Sequence, residues 1–313
     1  IPETLLVFLF CYNGNVTKKA VKYSNAGKSK NYKFAASYDD KNRITAYGYT
    51  RPGSVFIKYD EYNQLARVDS KIVAENKYTA TYKYDSRGNI TERNEYPYTT
   101  ATDISVLPTK TTTFTYANSG WKDLLVSVNG VELTYDANGN VLTYGDREYS
   151  WTNGRSLAQI TDGENTYSYT YDENGIRTSK AVNGVTTYFN TNNGMILSQT
   201  DNTDTWYFQY DTNETPMGFI LNGMQYFYLT NQMGDVISIV DSDGVEIAGY
   251  EYDEWGKPIL AYSSDETNEL QVKIANTNPI LYRGYYYDYE TGYYYLQSRY
   301  YDPSICRFIN ADD

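Results

Sequence analysis

The sequence contains no histidine in 313 residues. That removes Ser-His-Asp and Cys-His catalysis and every histidine-ligated zinc site. Two cysteines, Cys11 and Cys306, sit at opposite ends of the chain and are too few for a disulfide framework. Tryptophan (4) and phenylalanine (10) are scarce beside 38 tyrosines. Positive charge is short: 27 Lys and Arg face 39 Asp and Glu, a net charge of −12. Such a chain repels phosphate backbones and anionic headgroups, so neither nucleic acid nor a membrane surface is an expected partner. The apolar residues 5–11 are too few to span a bilayer, for which about 20 are needed. They read as a buried strand. The first residue is Ile1 rather than Met, so the chain reads as a fragment of a longer protein, with any export signal upstream.

What the chain has in abundance is Tyr, Thr, Asn and Gly, a β composition punctuated by turns. The dipeptide Tyr-Asp recurs at Tyr38-Asp39, Tyr59-Asp60, Tyr84-Asp85, Tyr135-Asp136, Tyr171-Asp172, Tyr210-Asp211, Tyr252-Asp253 and Tyr287-Asp288. Several copies continue to a glycine, as at Gly88, Gly139, Gly175 and Gly256, with Gly292 after the last. Weaker copies keep only the aromatic residue and the turn, as at Tyr23–Gly27, Tyr116–Gly120 and Trp151–Gly154. The turns return every ~15–25 residues, the spacing of serial hairpins. In Tyr167-Ser168-Tyr169-Thr170-Tyr171, period two puts three rings on one face of a strand. The Asp is expected to accept the backbone N–H two residues on, and the Gly to supply the left-handed residue that ends the turn. Stacked tyrosines would then hold the sheet together without a large aliphatic core. Residues 94–113 and 263–278 break the rhythm and read as irregular surface connections.

These repeats resemble the YD repeats of the RHS (rearrangement hot spot) proteins and their animal relatives, the teneurins. The C-terminal third is similar to the RHS-associated core. It carries Tyr228-Leu229-Thr230-Asn231-Gln232-Met233-Gly234-Asp235-Val236, then Asp243-Gly244 and Tyr250-Glu251-Tyr252-Asp253-Glu254-Trp255-Gly256. There follow Arg283-Gly284 before Tyr285-Tyr286-Tyr287, Glu290-Thr291-Gly292, the run Arg299-Tyr300-Tyr301-Asp302-Pro303, and Arg307-Phe308. On this basis residues 1–225 are YD/RHS repeats and 226–313 the core, in a fragment lacking upstream repeats and a downstream toxin domain. The resemblance implies an all-β fold of serial hairpins, a continuous spiralling sheet that is part of a hollow β-shell. It implies a structural role in a bacterial polymorphic toxin, secreted or cell-wall associated, enclosing and delivering the protein's own C-terminal toxin passenger. It implies no cofactor and no metal. Relatives that cut themselves after the core use acidic residues and an arginine, so Arg307, Asp312 and Asp313 are the candidates for aspartate-dependent autoproteolysis, ahead of Asp302. Cys306 departs from the family's usual glycine. A Cys would be strained there if the position needs positive φ.

Bland readings compete with sharper ones. Asp241-Ser242-Asp243-Gly244 has the cadence of a calcium loop but lacks the glutamate at its twelfth position, and a hairpin turn accounts for it. Glycoside hydrolysis has no pair of carboxylates to single it out. Arg283, Arg299 and Arg307 read as partners of rings or of Asp302. The alternative function is a surface adhesion or carbohydrate-binding module, with tyrosine rows stacking on a cell-wall glycan. Glycan pull-down would separate the two. An acidic, polar inner wall suits a shell that must not adhere to a partly unfolded passenger.

Overall fold

The computed structural model describes residues 4–12, 15–25, 28–49, 53–71 and 77–311. For residues 4–12, 15–16, 21–25, 28–32 and 49 the backbone alone is described. Asp312 and Asp313, and the side chain of Cys11, fall outside that set. The chain divides into two compact units, residues 1–130 and 131–313.

In the first unit the described strands run from Thr4–Tyr12 to Leu125–Val128, each antiparallel to the next. In the second, an antiparallel meander runs from Val131–Tyr135 to Pro258–Ser263. The helix Glu269–Thr277, a 3₁₀ turn at Tyr282–Gly284 and a small sheet follow. That sheet is built from Tyr286–Asp288, Tyr293–Leu296, Arg299–Asp302 and Arg307–Phe308. The border at 225/226, drawn where the core signature starts, lies inside the strand Met224–Thr230. Serial hairpins are what the sequence predicts, and the all-β class holds.

The repeat works as a small machine. In the seven copies from Asp39 to Asp253 the Asp carboxylate accepts two backbone N–H groups, two and four residues on. Asp60 takes Tyr62 and Gln64 at 2.9 and 2.8 Å, Asp172 takes Asn174 and Ile176 at 2.9 Å each, and Asp253 takes Trp255 and Lys257 at 2.9 Å each. The third residue after the Asp is left-handed, as at Gly88 (φ 88°), Gly139 (84°) and Gly175 (77°), with Asn42 and Asn63 substituting earlier. Register then slips at the tyrosine, so one residue of the returning strand is unpaired. Such bulges increase the local twist of a ribbon. The tyrosine hydroxyl donates to the first or second residue of the preceding hairpin's returning strand: Tyr59 to Ile44 O (3.0 Å), Tyr84 to Leu65 O (2.8 Å), Tyr116 to Ile90 O (2.8 Å), Tyr171 to Leu157 O (2.8 Å), Tyr210 to Ile196 O (2.9 Å) and Tyr252 to Val236 O (2.7 Å). Trp151 Nε1 does the same for Val141 O at 2.6 Å. The ring packs, and its polar tip pairs the carbonyl next to the bulge.

Three expectations are corrected. The core is not chiefly tyrosine: Leu125, Leu157, Ile160, Leu221 and Ile239 are among its largest fully buried side chains. They alternate with rings because period two fills the inner face with whatever apolar residue occurs there. The break at 94–113 is narrower, since the strands Ile90–Pro97 and Lys110–Tyr116 run into it from both sides. Buried Arg67 orders the start of the connection, donating to Thr99 O and Ala101 O at 2.6 Å each. Residues 263–278 hold a helix rather than an irregular excursion. Asn268 caps it by accepting from Leu270 N and Gln271 N, and Ile274 and Ala275 are buried. No helix among the described residues is long and apolar enough to cross a membrane.

Candidate functional site

The Tyr171 copy departs from its neighbours at one position. Five residues after the repeat Asp, where the returning strand begins, the earlier copies have Ile44, Leu65, Ile90 or Val141, and the two that follow have Pro216 and Pro258. Here it is Arg177, paired with Tyr171 and fully buried. A buried guanidinium needs a partner, since desolvation otherwise costs several kcal/mol. The partner comes from the small sheet, 111 residues away: Nη1 lies 2.6 Å from Asp288 Oδ2 and Nη2 3.2 Å from Oδ1. Lys180 Nζ adds 3.0 Å to Asp288 Oδ1 and 2.9 Å to Glu290. Two cations and two carboxylates balance. Five rings surround the guanidinium carbon: Tyr295 at 4.2 Å, Phe189 and Tyr286 at 4.9 Å, Tyr169 at 5.4 Å and Tyr300 at 5.9 Å. Burial disfavours the charge on Asp288, but Arg177 and Lys180 outweigh it and hold the carboxyl below its ordinary range. Burial likewise works against Arg177 and Lys180, and Asp288 holds both above theirs.

Asp288 therefore does not use its carboxylate as the repeat turns do. Its carbonyl alone makes the turn, accepting from Thr291 N and Gly292 N at 3.2 and 2.8 Å. The rest of the small sheet docks on the same wall through hydroxyls. Tyr293 meets Tyr149 at 2.6 Å, Tyr300 meets Tyr171 at 2.8 Å, Tyr286 donates to Gln199 at 2.7 Å, Tyr294 to Gly256 O at 2.7 Å and Tyr301 to Trp255 O at 2.9 Å. Main-chain bonds clamp the two ends, Val141 N to Ile309 O at 3.0 Å and Val236 N to Leu281 O at 3.1 Å.

The remaining candidates distribute around this dock. Arg283 stacks on Tyr282 at 5.2 Å, and Gly284 (φ 74°) lies against Pro216. Arg299 lies over Phe308 at 3.9 Å. Arg307 stands opposite Asp302 in register. Asp302 is buried and accepts from Ser304 N at 2.8 Å and Ser304 Oγ at 2.6 Å; burial raises its carboxyl despite these bonds. Pro303 accepts from the Cys306 thiol at 3.9 Å, and Cys306 takes φ 59°, so the turn keeps the left-handed geometry a glycine would have used. Asp312 and Asp313, two of the three self-cleavage candidates, lie outside the described residues. Asp241 accepts from Asp243 N and Val245 N, the turn geometry of the repeats from Asp39 to Asp253. Sequence reasoning missed Arg177 and Lys180. The available signal was an arginine at a position that is aliphatic in the earlier copies.

Residues 8–313 match the teneurin YD-shell family. The chain belongs to that family. It is 35% identical over 261 residues to the tRNA nuclease WapA of Bacillus subtilis strain 168, covering 81% of this chain and 10% of that protein. It is 40% identical over 195 residues to the tRNA(Glu)-specific nuclease WapA of Bacillus subtilis subsp. natto, covering 60% of this chain and 8% of that one. The chain thus spans about a tenth of the curated relatives it matches. Among solved structures, the TcdB2–TccC3–Cdc42 crystal structure superposes with a TM-score of 0.76 at 18% identity, over 98% of this chain and 17% of that one. TcdB2–TccC3 without its hypervariable C-terminal region gives 0.77 at 18% identity, over 98% and 17%. At that identity the likeness is one of fold.

Proposed function

We propose that this YD-shell segment is wall and closure of a compartment that encloses a C-terminal polypeptide of the same protein, as part of an exported toxin. The observation that carries the reading is the docked small sheet. Its charged anchor, Asp288 on Arg177, is wholly buried, with Lys180 nearly so beside it, and its tyrosines reach five different wall residues. A segment fastened in this way fixes where the chain leaves the wall. The match to a tenth of two proteins named as nucleases fits a shared scaffold segment within larger proteins. Self-cleavage beyond the core, with Arg307, Asp312 and Asp313 as its candidate residues, belongs to the same proposal.

The test is to express the full-length gene product and weigh it before and after trypsin. Enclosure predicts that the polypeptide following Asp313 survives trypsin in the native protein and is digested once the wall is denatured. Equal digestion in both states defeats the reading. Self-cleavage predicts two masses in the wild type and one in Asp312→Asn. A single uncut mass in the wild type defeats that part.

A further inference from the structure

Period two puts the tyrosine rows on the face that carries the docked small sheet, where Tyr167, Tyr169 and Phe208 are buried. The opposite face of the same strands has another character. From Ser156–Asp162 to Pro216–Leu221 the register continues that face from each strand to the next. Among the described residues of these strands, none that the register places on it is charged. Charged residues make up 21% of the chain, so a face of this extent without one stands apart from the rest of the surface. The charges of these strands point the other way, Lys180 to Asp288 and Asp162 to Arg147. What the face does present is mostly Ser and Thr, with Asn190 and Gln209 among them.

Two rings stand out from this face. Tyr188 is 61% exposed and Tyr207 54%. Among the described residues, neither ring meets another ring or a cation and neither hydroxyl has a hydrogen-bond partner. The tips of Tyr171 and Tyr210, by contrast, are committed to carbonyls. Thr200 pairs with both Tyr188 and Thr205, and Ser198 with both Asn190 and Tyr207. The rings are therefore two strands and two residues apart, about 12 Å by the spacings of a sheet. Ser198 and Thr200 lie on the strand between them. Thr200 and Thr205 share a hydrogen bond of 2.7 Å, which leaves their oxygens further acceptor capacity.

We propose that this face binds a neutral polysaccharide. Sugar rings lay their C–H faces on Tyr188 and Tyr207, and sugar hydroxyls exchange hydrogen bonds with Asn190, Ser198 and Thr200. A run of several sugar units touches both rings. The chemistry of the face selects this occupant. A phosphate, a carboxylate or a cationic segment would lose hydration here without gaining an ion pair. A protein interface centres on apolar and aromatic side chains and is poor in Ser, whereas this face is mostly hydroxyls. The site does not depend on the enclosure reading, because it uses the face opposite the docked sheet.

The experiment is affinity electrophoresis of the whole chain in native gels cast with uncharged polysaccharides: hydroxyethylcellulose, pullulan, dextran or galactomannan. At least one should slow the chain, relative to a gel without polymer and to albumin in the next lane. Tyr188→Thr combined with Tyr207→Thr should weaken that binding by about fivefold or more. The double variant should melt with the wild type, because both rings are exposed and threonine suits a strand. Tyr62→Thr removes a ring that is 73% exposed on a turn elsewhere, and should leave binding unchanged. Retardation by none of the four polymers, full retardation of the double variant, or an equal loss in Tyr62→Thr overturns the proposal. A dimer in sedimentation that the double variant abolishes would give the face to a second copy of the chain, and overturns it as well.

Discussion

At the scale of the residue, tyrosine and aspartate divide the work of each repeat. The turn half was legible: an Asx-type turn closed by Gly or Asn follows from residue chemistry alone, although the second N–H accepted by each Asp was not foreseen. The tyrosine half was not, because its hydroxyl acts on the preceding hairpin, and a periodic sequence does not say how far along the next strand the ring tip reaches. Removing that hydroxyl leaves a carbonyl unpaired at the bulge. Tyr210→Phe should therefore lose about 1–2 kcal/mol in urea unfolding, with the fold intact by circular dichroism. A loss under a few tenths would mean that the ring alone matters. Cys306 sits at φ 59°, so Cys306→Gly should raise stability by roughly 0.5–1 kcal/mol, read as a higher urea midpoint.

Elements meet at a buried charge. Removing one partner of such a pair exposes the other to an uncompensated low-dielectric site, typically at ~3–5 kcal/mol. Asp288→Asn and Arg177→Leu should each lower the melting temperature sharply, whereas the double variant Arg177→Leu with Asp288→Leu should recover much of the loss. Additive losses would show that the two do not act as a pair. Nothing local announces this contact. Arg177 departs from the repeat by a single residue type, and its partner is far along the chain. The helix Glu269–Thr277 was hidden for a different reason. It is short, and only Ile274 and Ala275 are buried, so no apolar stripe stands out; its one clear mark is Asn268 just ahead of Glu269.

Across the whole molecule, stability should follow pH through a few buried carboxyls of opposite kind. Asp288 lies below its ordinary value, so its contribution is present at neutral pH and fades as pH falls below about 3.9. Asp302 and Asp235 are raised by burial, so theirs is complete in acid and fades as pH rises through the folded value. Asp302→Asn keeps an oxygen for Ser304 and removes the ionisation. Its gain in melting temperature over the wild type should grow between pH 4 and pH 7.5, and a constant difference would contradict the raised carboxyl. The docking of the small sheet has a mechanical consequence. Wall strands are zipped to their neighbours by backbone ladders along their length. The small sheet is riveted to the wall by side chains and by single main-chain bonds at its two ends. A pull on its C-terminal end loads the bond at Ile309 first and the buried charges next. The sheet should then come free as one piece at a force the wall survives, a release step that resets when tension is relieved.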